Sequence, residues 1–320
     1  MKPINNILMT GAGMVGSRII KLLNERYNIK PIVVDQYFQY DYLDTIIDRD
    51  QYIQEECSIL DEDKMREIMK KYDIDAVLHT AAVLPMRVGH DPHPGFFKVN
   101  TWGTTNLIFS ALEAGVTRFV MFSTNGVYQF RKYGVDAAVK EDYPSGMNLT
   151  NAYGNSKATV EFLLKELTNL GKIDAKIIRP GEIFGPVMNR GNDDPIYWKA
   201  MADAAIKGEP FVLKGHPEHK LDWVHCNDVS NVALLALMEG GEHMEYHAAS
   251  GKLSGIYQLK AVIDELYPDN QVTLEDCATG GWNYPLSMER VKETFGYEPE
   301  YDLKKGIKEY ADWFLKNHPQ

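Results

Sequence analysis

The sequence predicts an α/β fold, a Rossmann-like doubly wound parallel sheet with a smaller C-terminal unit. Three observations carry this. Residues Asn6 to Thr10 form a short apolar strand that runs into Gly11-Ala12-Gly13-Met14-Val15-Gly16, and a helical pattern from Ser17 to Leu23 follows. That order of strand, glycine-rich turn and helix opens a parallel βα unit. Short apolar strands then alternate with helical stretches as far as Pro180, the rhythm of a parallel sheet. From Gly181 the rhythm breaks into short strands and helices.

Composition narrows the class. The chain has 320 residues, 44% apolar and 25% charged, ordinary for a globular protein with a full core. Its net charge of -11, without a basic block, argues against nucleic acid or an anionic membrane as partner. No apolar run reaches spanning length, and Met1-Lys2-Pro3-Ile4 leads almost directly into a strand, so no signal peptide is expected. Cys57, Cys226 and Cys277 are scattered, which fits a reducing cytoplasm and no structural zinc.

In the first half each strand end offers a candidate contact. The Gly-x-Gly-x-x-Gly glycines permit a tight turn, close approach of a pyrophosphate and close helix packing. Residues Pro31 to Asp35 form the second strand, and Asp35 stands roughly 20 residues past the loop, where a carboxylate bonds both hydroxyls of an adenosine ribose and repels a 2′-phosphate. The cofactor expected is therefore NAD. Residues 36 to 52 read as a loop and short helix, Tyr52 to Ser58 as the third strand and Asp61 to Lys71 as a helix. Asp75 to Ala82 reads as the fourth strand, ending in small residues against which a cofactor can lie. His79 within it fits a hydrogen-bonded core residue. Val83 to Phe97 reads as a loop where such proteins keep active-site lids. Its prolines at 92 and 94 make a metal pair from His90 and His93 improbable.

A helix is expected from Val99 to Ala114 and a fifth strand from Arg118 to Phe122, ending in Ser123-Thr124-Asn125 at the mouth of the crevice. After a polar loop, Tyr128 to Leu149, comes Tyr153-Gly154-Asn155-Ser156-Lys157 at the start of a helix. Spacing i, i+4 puts the phenol and the ammonium on one helix face. A cation beside a phenol favours phenolate, which can take a proton from a substrate hydroxyl. Lys176 to Pro180 reads as the sixth strand. Beyond a Gly-, Pro- and Asn-rich stretch (181 to 194), helices are expected at 195–207, 228–238, 259–266, 288–295 and 303–315. Short strands are expected at 211–213, 222–225 and 246–249. The division expected is an NAD-binding unit over 1–180, rejoined by 222–250, and a mainly substrate-binding unit over 181–320.

Taken together these residues resemble the extended short-chain dehydrogenase/reductase superfamily, in its NAD-dependent sugar epimerase/dehydratase group. The likeness spans essentially the whole chain. It rests on the glycine loop, Asp35, Asp75 to Ala82, Asn100-x-x-Gly103-Thr104-x-Asn106-Leu107, Phe122-Ser123-Thr124 with Val127-Tyr128, Tyr153-x-x-x-Lys157, Arg179-Pro180-Gly181 with Gly185-Pro186, and Val224-His225-x-x-Asp228-Val229.

The resemblance implies that Met14 and Val15 lie at the pyrophosphate, Asp35 at the ribose, and Ser58 and Ile59 beside the adenine. It implies that Ala81, Ala82, Leu84 and Pro180 line the cofactor and that Asn100 helps hold it. Lys157 would also bond the nicotinamide ribose, Tyr153 would be the acid/base, and Thr124 would hydrogen-bond the reacting oxygen. Where dehydratases of the group carry Asp-Glu after this threonine, the chain has Asn125 and Gly126, which argues against water removal. Nucleotide-sugar enzymes carry an Asn and an Arg toward the diphosphate where this chain has Glu182 and Leu221. A carboxylate there repels a diphosphate, although Lys220 is a substitute after a register shift.

The expected activity is thus an NAD-dependent dehydrogenase acting on a hydroxyl of a small sugar, sugar acid or polyol. A nucleotide-sugar 4-epimerase and a non-catalytic NAD-binding regulator are the alternatives. Candidate substrate contacts are Arg87, Asn125, Glu182, Arg190, Lys214 and Lys220; no metal is expected. A cytoplasmic homodimer, formed through the 99–114 and 153–170 helices, is the expected assembly.

Overall fold

The structure, a computed structural model, describes residues 3–89, 92–129, 137–147, 151–187, 197–215, 218–276 and 284–318. Seven parallel strands form the main sheet: β1 (Ile7–Thr10), β2 (Ile32–Asp35), β3 (Ile53–Glu56), β4 (Ala76–His79), β5 (Arg118–Phe122), β6 (Asp174–Pro180) and, at one edge, β10 (Glu245–Ala248). Their order, β10-β6-β5-β4-β1-β2-β3, reverses direction between β1 and β4. In open α/β sheets that switch point, at the strands' C-terminal ends, is where ligands bind.

The side-chain period of two divides the core. Leu8, Val34, Val77, Met121 and Ile177 face α3 (Glu62–Lys71), α5 (Thr104–Glu113) and α6 (Ala152–Asn169). Ile7, Met9, Val33, Leu78 and Ile178 face α1 (Met14–Tyr27) and α8 (Cys226–Met238). Two short helices, α2 (Tyr40–Leu43) and α4 (Pro85–Val88), sit in the loops after β2 and β4.

Outside the main sheet are a three-stranded sheet of β7 (Glu182–Phe184), β9 (Lys220–His225) and β11 (Leu253–Gly255), and a parallel pair, β8 (Phe211–Gly215) with β12 (Val272–Asp276). Helices α7 (Tyr197–Lys207), α9 (Ile256–Leu266) and α11 (Leu303–Asn317) pack on one another there. A further helix, α10 (Glu289–Phe295), packs on β10.

Several elements differ from the sequence expectation. Helix α1 begins at Met14, inside the glycine motif, so the last motif glycine is helical. Strand β4 stops at His79, and Thr80 to Ala82 leave the ladder. A π-helical stretch, Phe96–Gly103, precedes α5. Strands β7, β11 and β12 are additions. Residues 222–225 pair with β7 and β11, and α8, which follows them, packs on the main sheet. The buried Asp222 carboxylate accepts backbone N–H groups from Ser250 (2.7 Å) and Gly251 (3.1 Å), just past β10, and from Leu286 (2.9 Å).

Candidate active site

The glycine loop is shaped by sterics. Gly11 has φ +86°, and a β-carbon there would stand 2.8 Å from the Thr80 hydroxyl and 2.9 Å from the Ala81 nitrogen. A β-carbon on Gly16 would meet the Gly11 carbonyl oxygen at 2.2 Å. One on Gly13 would meet nothing within 4 Å. Two glycines thus allow the fold to close, and the third keeps open the space above the N-terminus of α1, where an anion is favoured. Asp35 steadies the loop: its carboxylate accepts the Ala12 N–H at 2.9 Å and the Tyr37 N–H at 3.3 Å.

Above this loop runs a cavity of about 440 Å³. It is lined by Gly11, Gly13, Met14, Val15, Gly16, Asp35, Ile59, Ala81, Ala82, Leu84, Tyr153, Lys157 and Pro180, all expected at a dinucleotide. A cavity lined by both the N-terminus of a helix and the acid at the end of β2 fits NAD.

Two residues expected at the cofactor, Asn100 and Ser58, bond residues of the cavity wall. Asn100 is fully buried and exchanges hydrogen bonds with the Val83 backbone, accepting from its N–H at 2.8 Å and donating to its carbonyl at 2.9 Å. It thereby fixes the segment that carries Ala81, Ala82 and Leu84. The Ser58 hydroxyl bonds the Gln36 carboxamide and accepts the Leu60 N–H at 3.2 Å. His79 is a core residue: its ring nitrogens bond the hydroxyls of Thr10 (2.6 Å) and Thr104 (2.8 Å), and burial pushes its pKa down, so the ring stays neutral.

Tyr153 and Lys157 open α6. Asn151 caps the helix, accepting the Gly154 N–H at 2.8 Å, and its amide donates to the Gly126 carbonyl at 3.1 Å. The same contact brings in the turn at Asn125–Val127, which the Thr124 hydroxyl caps by accepting the Gly126 N–H at 3.1 Å. Asn125 lies in that turn, its side-chain oxygen 3.5 Å from the Thr124 hydroxyl. The Tyr153 ring meets Phe96 edge-on at 5.7 Å, and its hydroxyl has no hydrogen-bond partner among the described residues.

The electrostatics correct one expectation. Spacing alone assigns Lys157 to lowering the Tyr153 phenol's pKa, but the largest influences there act the other way. Burial raises the phenol pKa, and the Glu182 carboxylate raises it further. The Lys157 ammonium is turned to the Phe122 carbonyl at 3.0 Å; burial lowers its pKa to about 8, against the opposing pull of Glu161. Burial raises Glu182 to about 7. Its carboxylate has neither a hydrogen bond nor an ion pair among the described residues.

The other candidate substrate contacts are dispersed. Arg87 lines the cavity and feels the Asp35 charge, which places it on the cofactor side; burial lowers its pKa. Lys220 begins β9 beside Gly255, and Lys214 pairs with Glu275 at 3.5 Å on the surface. Arg190 and His90 lie outside the described residues. No three His, Cys, Asp or Glu side chains cluster as metal ligands would, among the described residues.

Sequence reasoning missed part of the wall: Gln36, Gln39, Tyr42, Cys57, Ser123, Ile183, Val187 and Trp198 also line the cavity. Buried Arg18 brings some of them in. It donates to the Tyr42 hydroxyl at 2.7 Å and to the Pro186 carbonyl at 3.3 Å, drawing α2 and the 183–187 segment over the glycine loop. An arginine inside an apolar helix face was the available signal.

Comparison with known proteins agrees with this geometry. A sequence model described as the NAD dependent epimerase/dehydratase family matches residues 7–249. The chain belongs to this family. It is accordingly an NAD-dependent enzyme of the extended short-chain dehydrogenase/reductase type, whose chemistry is hydride transfer at a sugar carbon. A putative UDP-glucose 4-epimerase of Methanocaldococcus jannaschii is 26% identical over 318 residues, 98% of this chain and 99% of that protein. A dTDP-D-glucose 4,6-dehydratase of Homo sapiens is 25% identical, over 97% of this chain and 90% of its own. Among solved structures, the Thermotoga maritima UDP-glucose 4-epimerase with UDP-glucose superposes with a TM-score of 0.83. It is 24% identical and the match covers 97% and 99% of the two chains. The Thermus thermophilus UDP-glucose 4-epimerase complex with NAD gives 0.80 at 22% identity, over 97% and 98%. These structural likenesses are of fold. No helix among the described residues is long and apolar enough to cross a membrane.

Proposed function

We propose that this family member oxidises or reduces a hydroxyl-bearing carbon of a small, nucleotide-free sugar, sugar acid or polyol, with Tyr153 as acid/base. The observation that carries the substrate reading is Glu182. It stands at the first residue of β7, just past the end of β6, close enough to Tyr153 for its charge to act on the phenol, and it has no cationic partner among the described residues. A carboxylate there accepts hydrogen bonds from substrate hydroxyls and repels a diphosphate.

In this reading the residues divide the labour. In oxidation ionised Tyr153 receives the proton of the substrate hydroxyl, in reduction its phenol gives one back, and Thr124, fixed by its own turn, orients that hydroxyl. Lys157 supplies positive charge below about pH 8 and in this reading holds the nicotinamide ribose. Bound NAD supplies the hydride acceptor. Asp35 and the N-terminus of α1 hold the dinucleotide, and the unit built on β7, β9 and β11 takes the substrate.

The second reading is a nucleotide-sugar 4-epimerase, favoured by the epimerase relatives that match over nearly full length. An assay of NADH release over free sugars, uronates and aldonates, set against UDP-sugar interconversion, separates the two.

We also propose a homodimer. Phe97 and Trp102 in the π-helical stretch, Phe109 on α5 and Phe162 on α6 are exposed, Trp102 by 60% and Phe162 by 72%, and a second copy would cover them. Sedimentation velocity should give a dimer that W102E together with F162E converts to monomer; a wild-type monomer contradicts it.

A further inference from the structure

Helix α6 grips the end of β5 at two successive residues. Lys157 Nζ donates to the Phe122 carbonyl at 3.0 Å. One turn later Glu161, 3% exposed, accepts the Ser123 hydroxyl at 2.5 Å. The Ser123 N–H donates to the Ile178 carbonyl at 2.7 Å, so this strand end is held from both sides. Thr124 is the next residue.

Glu161 has its own fixed partner. Arg179 of β6, fully buried, donates to it through Nε at 3.0 Å and Nη2 at 2.6 Å, and spends another donor on the Tyr128 hydroxyl (3.1 Å) and the Glu141 carbonyl (2.9 Å). A carboxamide or a hydroxyl could hold Ser123 without placing a charge in the core, and burying a charge is costly unless it is well paired. Besides its ion pair with Arg179, the carboxylate lies one turn along α6 from Lys157.

We infer that Glu161 is a positioning residue of the reaction: it fixes Phe122 to Thr124 beside Tyr153 and sets its carboxylate one helical turn from the Lys157 ammonium. The inference rests on the assignment of Lys157 to the active site. The groups facing Glu161 are Arg179 from β6, Tyr128 from beyond β5, and Lys157 and Lys165 (3.8 Å) from its own helix; Glu245 of β10 pairs with Lys165 and approaches Arg179. Lys157 faces Glu161 and, across from β4, neutral His79. Glu161 opposes the loss of the Lys157 proton that burial promotes.

The test titrates Lys157 by NMR in protein labelled with carbon-13 at the lysine ε position, the signal being assigned by its loss in K157R. The wild-type midpoint should fall near 8. E161Q should lower it by about one pH unit or more. R179Q, which leaves the Glu161 charge less compensated, should raise it. An unmoved midpoint in folded E161Q, or both variants shifting it in the same direction, overturns the inference. If E161Q does not fold, R179Q decides alone, an unchanged or lowered midpoint being the overturning result. If neither folds, the paired change E161L with R179M removes both charges together and must lower the midpoint; no shift overturns it. A failed substrate panel would leave these midpoints where they are, so the two readings fail separately.

Discussion

Gly126 and Gly154 meet so closely that a β-carbon on Gly154 would stand 2.4 Å from the Gly126 carbonyl oxygen. This contact sets the first turn of the Tyr153 helix against the turn capped by Thr124. G154A should therefore cost about 1–3 kcal/mol of stability, the usual range for overpacking, measured by urea unfolding. Unchanged stability would show that the two turns separate freely.

The three motif glycines should respond differently. G13A places a methyl in open space, so the thermal midpoint should stay within a degree or so of wild type, while NAD affinity falls at least about tenfold because the methyl occupies the cofactor's path. G16A meets the Gly11 carbonyl and should destabilise the fold itself. Calorimetry of each variant, with and without NAD, checks both. G13A with wild-type NAD affinity would remove the pyrophosphate from this loop.

Glu182 yields a pH prediction. Burial raises its carboxyl from the ordinary 4.5 to about 7. Between those values the folded chain keeps a proton that the unfolded chain has lost, so this group makes stability fall as pH rises through the window. E182Q should thus unfold at higher temperature than wild type above pH 7, with the difference vanishing near pH 4.5. Ionised Glu182 also opposes the phenolate of Tyr153, so the acid limb of oxidation should move to lower pH in E182Q. Melting curves that coincide at every pH would place Glu182 in water.

Much of this was legible in the chain because it lies in local pattern. The glycine loop, Asp35 and the Tyr153–Lys157 spacing each depend on a few adjacent residues, and the alternation of strands and helices gave the parallel sheet. What escaped depends on distant partners. Strand β12 is defined by its pairing with β8, about 60 residues earlier in the chain. Asn100 reads as a cofactor contact but acts through Val83, a relation only tertiary geometry reveals. Lys157 reads as the group that lowers the phenol's pKa. Spacing places it on the right face, yet it does not show that burial and Glu182 prevail at Tyr153. Tyr42 and Trp198 line the cavity from segments without a motif.

The central claim is that Tyr153 moves a proton during NAD-dependent oxidation of a small, nucleotide-free hydroxyl substrate. It is tested most directly by NADH formation across free sugars, uronates and aldonates, in wild type and Y153F. The account predicts net NADH from at least one of them with the wild-type enzyme. Y153F should lose at least about a hundredfold in turnover, the low end for general acid/base catalysis, while still binding NAD. UDP-sugar interconversion with NAD retained and no net NADH, or turnover that survives in Y153F, would contradict it.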